Sequence, residues 1–221
     1  MTEVCDPANG EQHKGRVLVI AGSDPSGGAG IQADIKTITA LGGYAATAIT
    51  ALTVQNTMGV TDVMSVASDF VANQMKAVLT DVGADAVKTG MLHDIGTIEA
   101  VVESLNAFTF QGAVVVDPVM VATSGDHLLK PEAVKTIVSC LLPRATVITP
   151  NIPEAEVLAG FNIDTVDGIR RAGKRLLSLG PKAVLRKGWP LTTEKLVAIL
   201  LTQDGEAIQI KSIRLDTRHN H

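Results

Sequence analysis

GSDPSGGAGIQADIKTITALGGYAATAITALTVQNT, residues 22–57, is the stretch on which the reading of this 221-residue chain turns. It follows an apolar, β-branched run, RVLVIAG (residues 16–22), which reads as a strand. Within it, ADIKTITALGG has helical period and stops at Gly42 and Gly43, a common way for a helix to end. ATAITALTV then reads as a second strand. A strand, a glycine-rich turn, a helix and another strand make a βαβ unit, the building block of a mainly parallel sheet.

The same alternation runs outward from this unit. VTDVMSV is a weaker strand, and Ser68 is placed to cap a helix over DFVANQMKAVLTDV whose buried face combines Phe70, Met75, Val78 and Leu79. DAVKTG, GAVVVDPV, ATVITPN and KAVLRKG read as strands. IGTIEAVVESL, PEAVKTIVSCLL (opened by Pro131), PEAEVLAG and VDGIRRAGKRLLSLG read as the helices between and after them. KLVAILLT and EAIQIKS form a hairpin around Asp204-Gly205, since Asp-Gly suits a tight turn. The expectation is an α/β fold with helices on both faces of the sheet. Only four Phe, one Tyr and one Trp are present, so its core must be aliphatic.

Composition narrows the function. A formal charge of −4 offers no basic field for nucleic acid or anionic lipid. No apolar stretch reaches the ~18 residues that span a bilayer, and residues 1–15, MTEVCDPANGEQHKG, lack a secretion signal's apolar run and read as a mobile leader. Cys5 and Cys140 are too few for a disulfide framework, which fits a reducing cytoplasm.

Open α/β sheets bind ligands beyond the carboxyl ends of their strands, and the residues there are polar: the glycine loop, QNT, GML, DPVM, PNIPE and RKG. The loop is not a standard nucleotide motif. Gly22 and Gly27 frame a GxxxxG, but Gly28 stands where a P-loop needs Lys, and GxGxxG spacing is absent. Its glycines instead allow close backbone approach to something small, with Asp34 early in the following helix to meet it.

Residues 22–57, with KTGML, DPVM, TPNIPEAEVL, VLRKG and DTRHNH, closely resemble the hydroxymethylpyrimidine/phosphomethylpyrimidine kinases, members of the ribokinase-like superfamily. The resemblance implies a ribokinase-like three-layer fold over residues 16–221, ATP and Mg2+ as cofactors, a small-molecule pyrimidine substrate and a homodimer. By position it implies a pyrimidine site at Gly22, Ala29, Asp34, Gln55, Met91 and Val119. Gln55 offers both a donor and an acceptor to an aminopyrimidine edge, and Asp34 accepts from an amine or hydroxyl. It implies a nucleotide-phosphate side at Asp117, Asn151, Glu154 and Lys187, with Glu154 and Asp117 toward the metal, a hard cation that takes oxygen ligands.

Two departures stand out. The family pattern reads KGG, whereas here Lys187-Gly188 is followed by Trp189-Pro190. The family's DT…H segment also runs into GTGC, a turn that opens a helix and supplies an anion site and the base or anchor beside the attacking hydroxyl, and this chain ends at His221 where that motif would begin. A C-terminally truncated kinase domain is therefore expected, with His219 and His221 in a frayed end rather than a metal pair. Pyridoxal kinase and an inactive pyrimidine-binding protein are the alternative functions.

Overall fold

The computed structural model describes residues 14–120, 129–130, 132–190, 195–205 and 207–213. The leader up to residue 13, Pro131 and the C-terminal His219 and His221 lie outside them. Lys14 and Gly15 are tied to the fold, Lys14 N–H donating to the Gly42 carbonyl and Tyr44 N–H to that of Gly15.

The elements run β1 (Arg16–Ala21), α1 (Gly30–Ala40), β2 (Tyr44–Ile49), β3 (Ala51–Asn56), β4 (Gly59–Ser65), α2 (Ser68–Thr80), β5 (Ala86–Thr89), α3 (Ile95–Ala107) and β6 (Ala113–Val116). They continue with α4 (Ala133–Thr136), β7 (Val147–Ile148), α5 (Ile152–Ala159), α6 (Val166–Leu177), β8 (Ala183–Pro190), β9 (Lys195–Thr202) and β10 (Ala207–Ile213). Eight strands form one sheet in the order β10-β9-β8-β7-β6-β5-β1-β2. From β2 to β8 neighbours are parallel; β9 and β10 add an antiparallel hairpin that turns at Gly205, where φ is +85°. The mainly parallel sheet and the terminal hairpin are as the sequence predicts.

From Leu18 to Ala21 β1 is buried on both faces, which is why its sequence there carries no polar residue. Leu18 and Ile20 enter the large core with Met75 of α2 and Ile98, Val101 and Leu105 of α3, while Val19 and Ala21 meet Ile31 of α1. Each buried aliphatic side chain of this size contributes about 1.5–3 kcal/mol.

Four local expectations are corrected. ATAITALTV is not one strand: it breaks at Thr50, and β3 leaves to pair with β4 in a separate two-stranded sheet. Thr50 anchors the break, its N–H on the Ala21 carbonyl, its carbonyl accepting from Val66 and its hydroxyl on the Met91 carbonyl at 2.6 Å. Ser68 opens α2 but does not cap it; Ala67 is the cap residue. Phe70 is 61% exposed, because Val71 and Met75, one turn apart, define the buried face and Phe70 is rotated off it. PEAVKTIVSCLL is helical only over Ala133–Thr136 in the regular sense, continuing through a π-turn at Ile137–Leu141.

Candidate active site

The glycine loop is organised by Asp24, a residue that sequence reasoning did not single out. Asp24 is 1% exposed. Its carboxylate accepts from the Ser26 N–H and hydroxyl and from the Gly28 and Ala29 N–H groups, at 2.7–3.0 Å, while its own N–H donates to Gln32 of α1. This is an Asx-type turn in which one buried anion draws the backbone donors of the loop inward. Its legible signal was the Asp-Pro-Ser-Gly string. Gly30 starts α1 with φ +57°, and a Cβ there would stand 2.5 Å from the Gly22 carbonyl oxygen. That close approach fixes the loop against the end of β1.

Gly22 in turn leaves room for Met91, whose Cε would be 2.8 Å from a Cβ at position 22. The Ser23 N–H reaches the Ala51 carbonyl, and the Thr53 hydroxyl bridges the Ser23 carbonyl at 2.8 Å and Gln55 Oε1 at 3.2 Å. Gly22, Gln55 and Met91 are thus joined around the end of β1. Ala29 is in the same loop, held through Asp24. Asp34 is not a solitary acceptor: Lys88 Nζ of β5 lies 2.6 Å from its Oδ2. Val119 belongs to the next strand end, its N–H on the Asp117 carbonyl.

The second group gathers at β6, β7 and β8. Lys187 Nζ contacts both Asp117 carboxylate oxygens, at 2.9 and 3.1 Å. The Lys187 N–H donates to the Pro150 carbonyl, and the β8–β9 ladder slips between Arg186 and Trp189, so Lys187 sits where antiparallel pairing is interrupted. The backbone nevertheless runs as strand through Trp189 and Pro190. Asn151 caps α5 by a reciprocal box: its side chain accepts from Glu154 N–H at 2.9 Å, and Glu154 Oε2 accepts from Asn151 N–H at 2.8 Å.

Glu154 is 4% exposed. Burial pushes its carboxyl up to about 7, with the Asp117 charge adding to the rise, while the Asn151 and Met120 backbone donors and Lys187 oppose it. The Met120 contact links α5 to the loop after β6. Arg186, buried at 3% exposure on β8, has its guanidinium pKa lowered by desolvation, against the charge of Glu156.

Because β1, β5, β6, β7 and β8 are consecutive neighbours, these residues line one sheet edge in order: Gly22, then Met91, Asp117 and Val119, Asn151, Lys187. Among the described residues no group of three or more His, Cys, Asp or Glu side chains comes together, so a metal would meet two protein carboxylates here, Asp117 and Glu154. Cys140 is a half-buried free thiol whose Sγ lies 3.3 Å from the Ser139 hydroxyl. A cavity of about 450 Å3 beside Ser68, Asp94, Gly96 and Lys130 touches none of the candidate site residues. No helix among the described residues is long and apolar enough to cross a membrane.

Residues 24–221 match the family described as phosphomethylpyrimidine kinase. The hydroxymethylpyrimidine/phosphomethylpyrimidine kinase of Escherichia coli K12 is 47% identical over 92% of this chain and 76% of its own length. The thiamine biosynthesis bifunctional protein ThiED of Geobacter sulfurreducens is 46% identical over 94% of this chain, which spans 42% of that longer protein. Among solved structures, phosphomethylpyrimidine kinase from Clostridium difficile 630 superposes with a TM-score of 0.78 at 45% identity, covering 90% of this chain and 83% of that one. An ADP complex of Bacillus subtilis pyridoxal kinase gives 0.80 at 35% identity, covering 94% and 77%. The sheet, the glycine loop and these likenesses agree, and the chain belongs to the phosphomethylpyrimidine kinase family.

Proposed function

We propose that this chain transfers the γ-phosphoryl group of ATP to the hydroxymethyl group of 4-amino-5-hydroxymethyl-2-methylpyrimidine, and a second phosphoryl group to the resulting monophosphate, in the cytoplasm. The observation that carries this reading is the ordering of two unlike groups along one sheet edge, one around the glycine loop at Gly22, Gln55 and Met91 and a lysine–carboxylate group at Asp117, Glu154 and Lys187. Phosphoryl transfer requires little of the protein beyond positioning and charge stabilisation, and these groups suit that division.

On the pyrimidine side, the Thr53 hydroxyl on Gln55 Oε1 leaves the amide's donor end for a ring nitrogen, and Asp34 accepts from an amine or hydroxyl. Ala29 and Val119 complete the walls. On the phosphate side, Lys187 neutralises nucleotide oxygens once it gives up Asp117, and Asn151 fixes Glu154. The oxygen donors Asp117 and Glu154 fit Mg2+, which when bound neutralises phosphate charge and keeps much of its own water. A homodimer is part of the reading. Leu52, Val54, Met58 and Met64 leave an exposed apolar face on the β3–β4 ribbon, which is marginal as a lone two-stranded sheet.

The test is incubation with ATP, Mg2+ and either the pyrimidine or pyridoxal, with phosphorylated products separated by chromatography. Pyrimidine phosphates as the main product support the proposal. Preferential pyridoxal phosphate would favour the pyridoxal kinase alternative suggested by the ADP-complex likeness, and pyrimidine binding without turnover would favour an inactive binding protein.

A further inference from the structure

Lys88 is the one charged residue of β5, AVKT, a strand inside the parallel sheet. Its register partners on both sides, Val19 and Val115, are valines. Such a strand ordinarily reads as an apolar run, and a lysine placed in it costs free energy unless its ammonium is paired. The pairing is with Asp34 of α1, 2.6 Å away, and the side chains are only 25% and 22% exposed.

The pair stands beside the strand end that carries Gly90 and Met91. A Cβ at Gly90 would be 3.5 Å from Lys88 Nζ, and the next residue, Met91, packs over Gly22. Other charges nearby are engaged elsewhere: Lys36 Nζ on the Gly27 carbonyl, the Asp24 carboxylate on its own loop. Lys88 occupies Oδ2, and no hydrogen bond to Oδ1 comes from any other described residue, so one oxygen is fixed by the protein and the second stays available to a ligand.

We propose that Lys88 is a substrate-positioning residue, which holds the Asp34 carboxylate in one orientation beside the glycine loop so that its second oxygen accepts a hydrogen bond from the pyrimidine. This rests on the pyrimidine-kinase reading above. Lys88 touches no reacting atom; it acts through Asp34.

The experiment is a double-mutant cycle on ligand affinity, with calorimetric titration of 4-amino-5-hydroxymethyl-2-methylpyrimidine and, separately, of ATP with Mg2+ into wild type, Lys88→Met, Asp34→Asn and the double variant. A charge-assisted hydrogen bond predicts that each single variant loses about 10- to 100-fold in pyrimidine affinity, with the double variant no worse than the weaker single and ATP affinity unchanged. Undiminished pyrimidine affinity in Lys88→Met would overturn the proposal, as would losses that multiply in the double variant or fall equally on ATP, the signs of a pair that merely ties α1 to β5. Should Lys88→Met fail to fold, the neutral double variant carries the test: affinity equal to Asp34→Asn supports the coupling, and a further tenfold loss refutes it. Wild type that binds ATP but not the pyrimidine would remove the underlying reading, and this proposal with it.

Discussion

Glu154→Gln tests the electrostatics of the phosphate side most directly. In the folded chain the Glu154 carboxyl titrates near 7, above its ordinary 4.5, because burial and the Asp117 charge disfavour the anion. A folded-state pKa raised in this way stabilises the protein fully below about 4.5, and the contribution is lost as pH rises through about 7. The unfolded chain releases the proton first, so stability falls with pH across that window. At 1.36 kcal/mol per pH unit the loss is about 3 kcal/mol between these two values. Gln cannot ionise and escapes this loss, but it offers one acceptor where Glu154 meets two backbone donors, at a pH-independent cost of about 1–3 kcal/mol. The variant should therefore be the less stable form at pH 5 and gain on wild type by about 3 kcal/mol toward pH 8. Urea unfolding followed by circular dichroism at several pH values gives both curves. A wild-type-minus-variant difference that stays constant from pH 5 to 8 would refute the argument and mean that solvent or a neighbour compensates the buried charge.

Three further outcomes follow from the geometry. Gln55→Ala should weaken pyrimidine binding by about 1–3 kcal/mol, measured by calorimetry, and leave nucleotide binding largely intact; equal losses for both ligands would count against its placement. Lys187→Met leaves Asp117 without its ammonium, and the turnover number with ATP should fall about 10²- to 10³-fold while pyrimidine affinity is retained, so a normal turnover number would exclude Lys187 from charge stabilisation. Gly30→Ala combines an unfavourable positive φ with a Cβ 2.5 Å from the Gly22 oxygen and should cost more than about 1–3 kcal/mol, seen as a lower melting temperature; an unchanged melting temperature would mean the loop can move aside.

The parallel sheet was legible because its strands are short aliphatic runs separated by segments of helical period, a pattern that admits few other arrangements. Where tertiary contacts decide, the sequence is silent. Nothing in ATAITALTV announces a break at Thr50; the break exists because three hydrogen bonds of that one residue close on Ala21, Val66 and Met91. Ile49, at the end of β2, likewise has its N–H and carbonyl met by the Gln74 side chain of α2, a contact between residues far apart in sequence. Phe70 was misplaced because its size was read as burial, although at about 100° per residue it stands about 140° around the helix from Met75 whereas Val71 stands only about 40° away, on the face that the core takes up.

Candidate site residues were legible by position, since each polar string follows a strand, but their partners were not. Asp34 without Lys88 looks like a free acceptor, and Lys187 without Asp117 like a solvated charge. Asn151 and Glu154 illustrate a further overlap, because the spacing that suits a phosphate-side element also makes a capping box, and the box is what the geometry holds. The two roles do not compete. Capping consumes the Asn151 side chain and one Glu154 oxygen, and in doing so fixes the carboxyl beside Asp117 and Lys187 at the start of α5, where the helix N-terminus favours negative charge. A residue first explained as local structure therefore gains its chemical setting from that same constraint: a carboxyl locked in place, largely removed from water and close to a second one, releases its proton more readily when a cationic group or a metal replaces the water it lost.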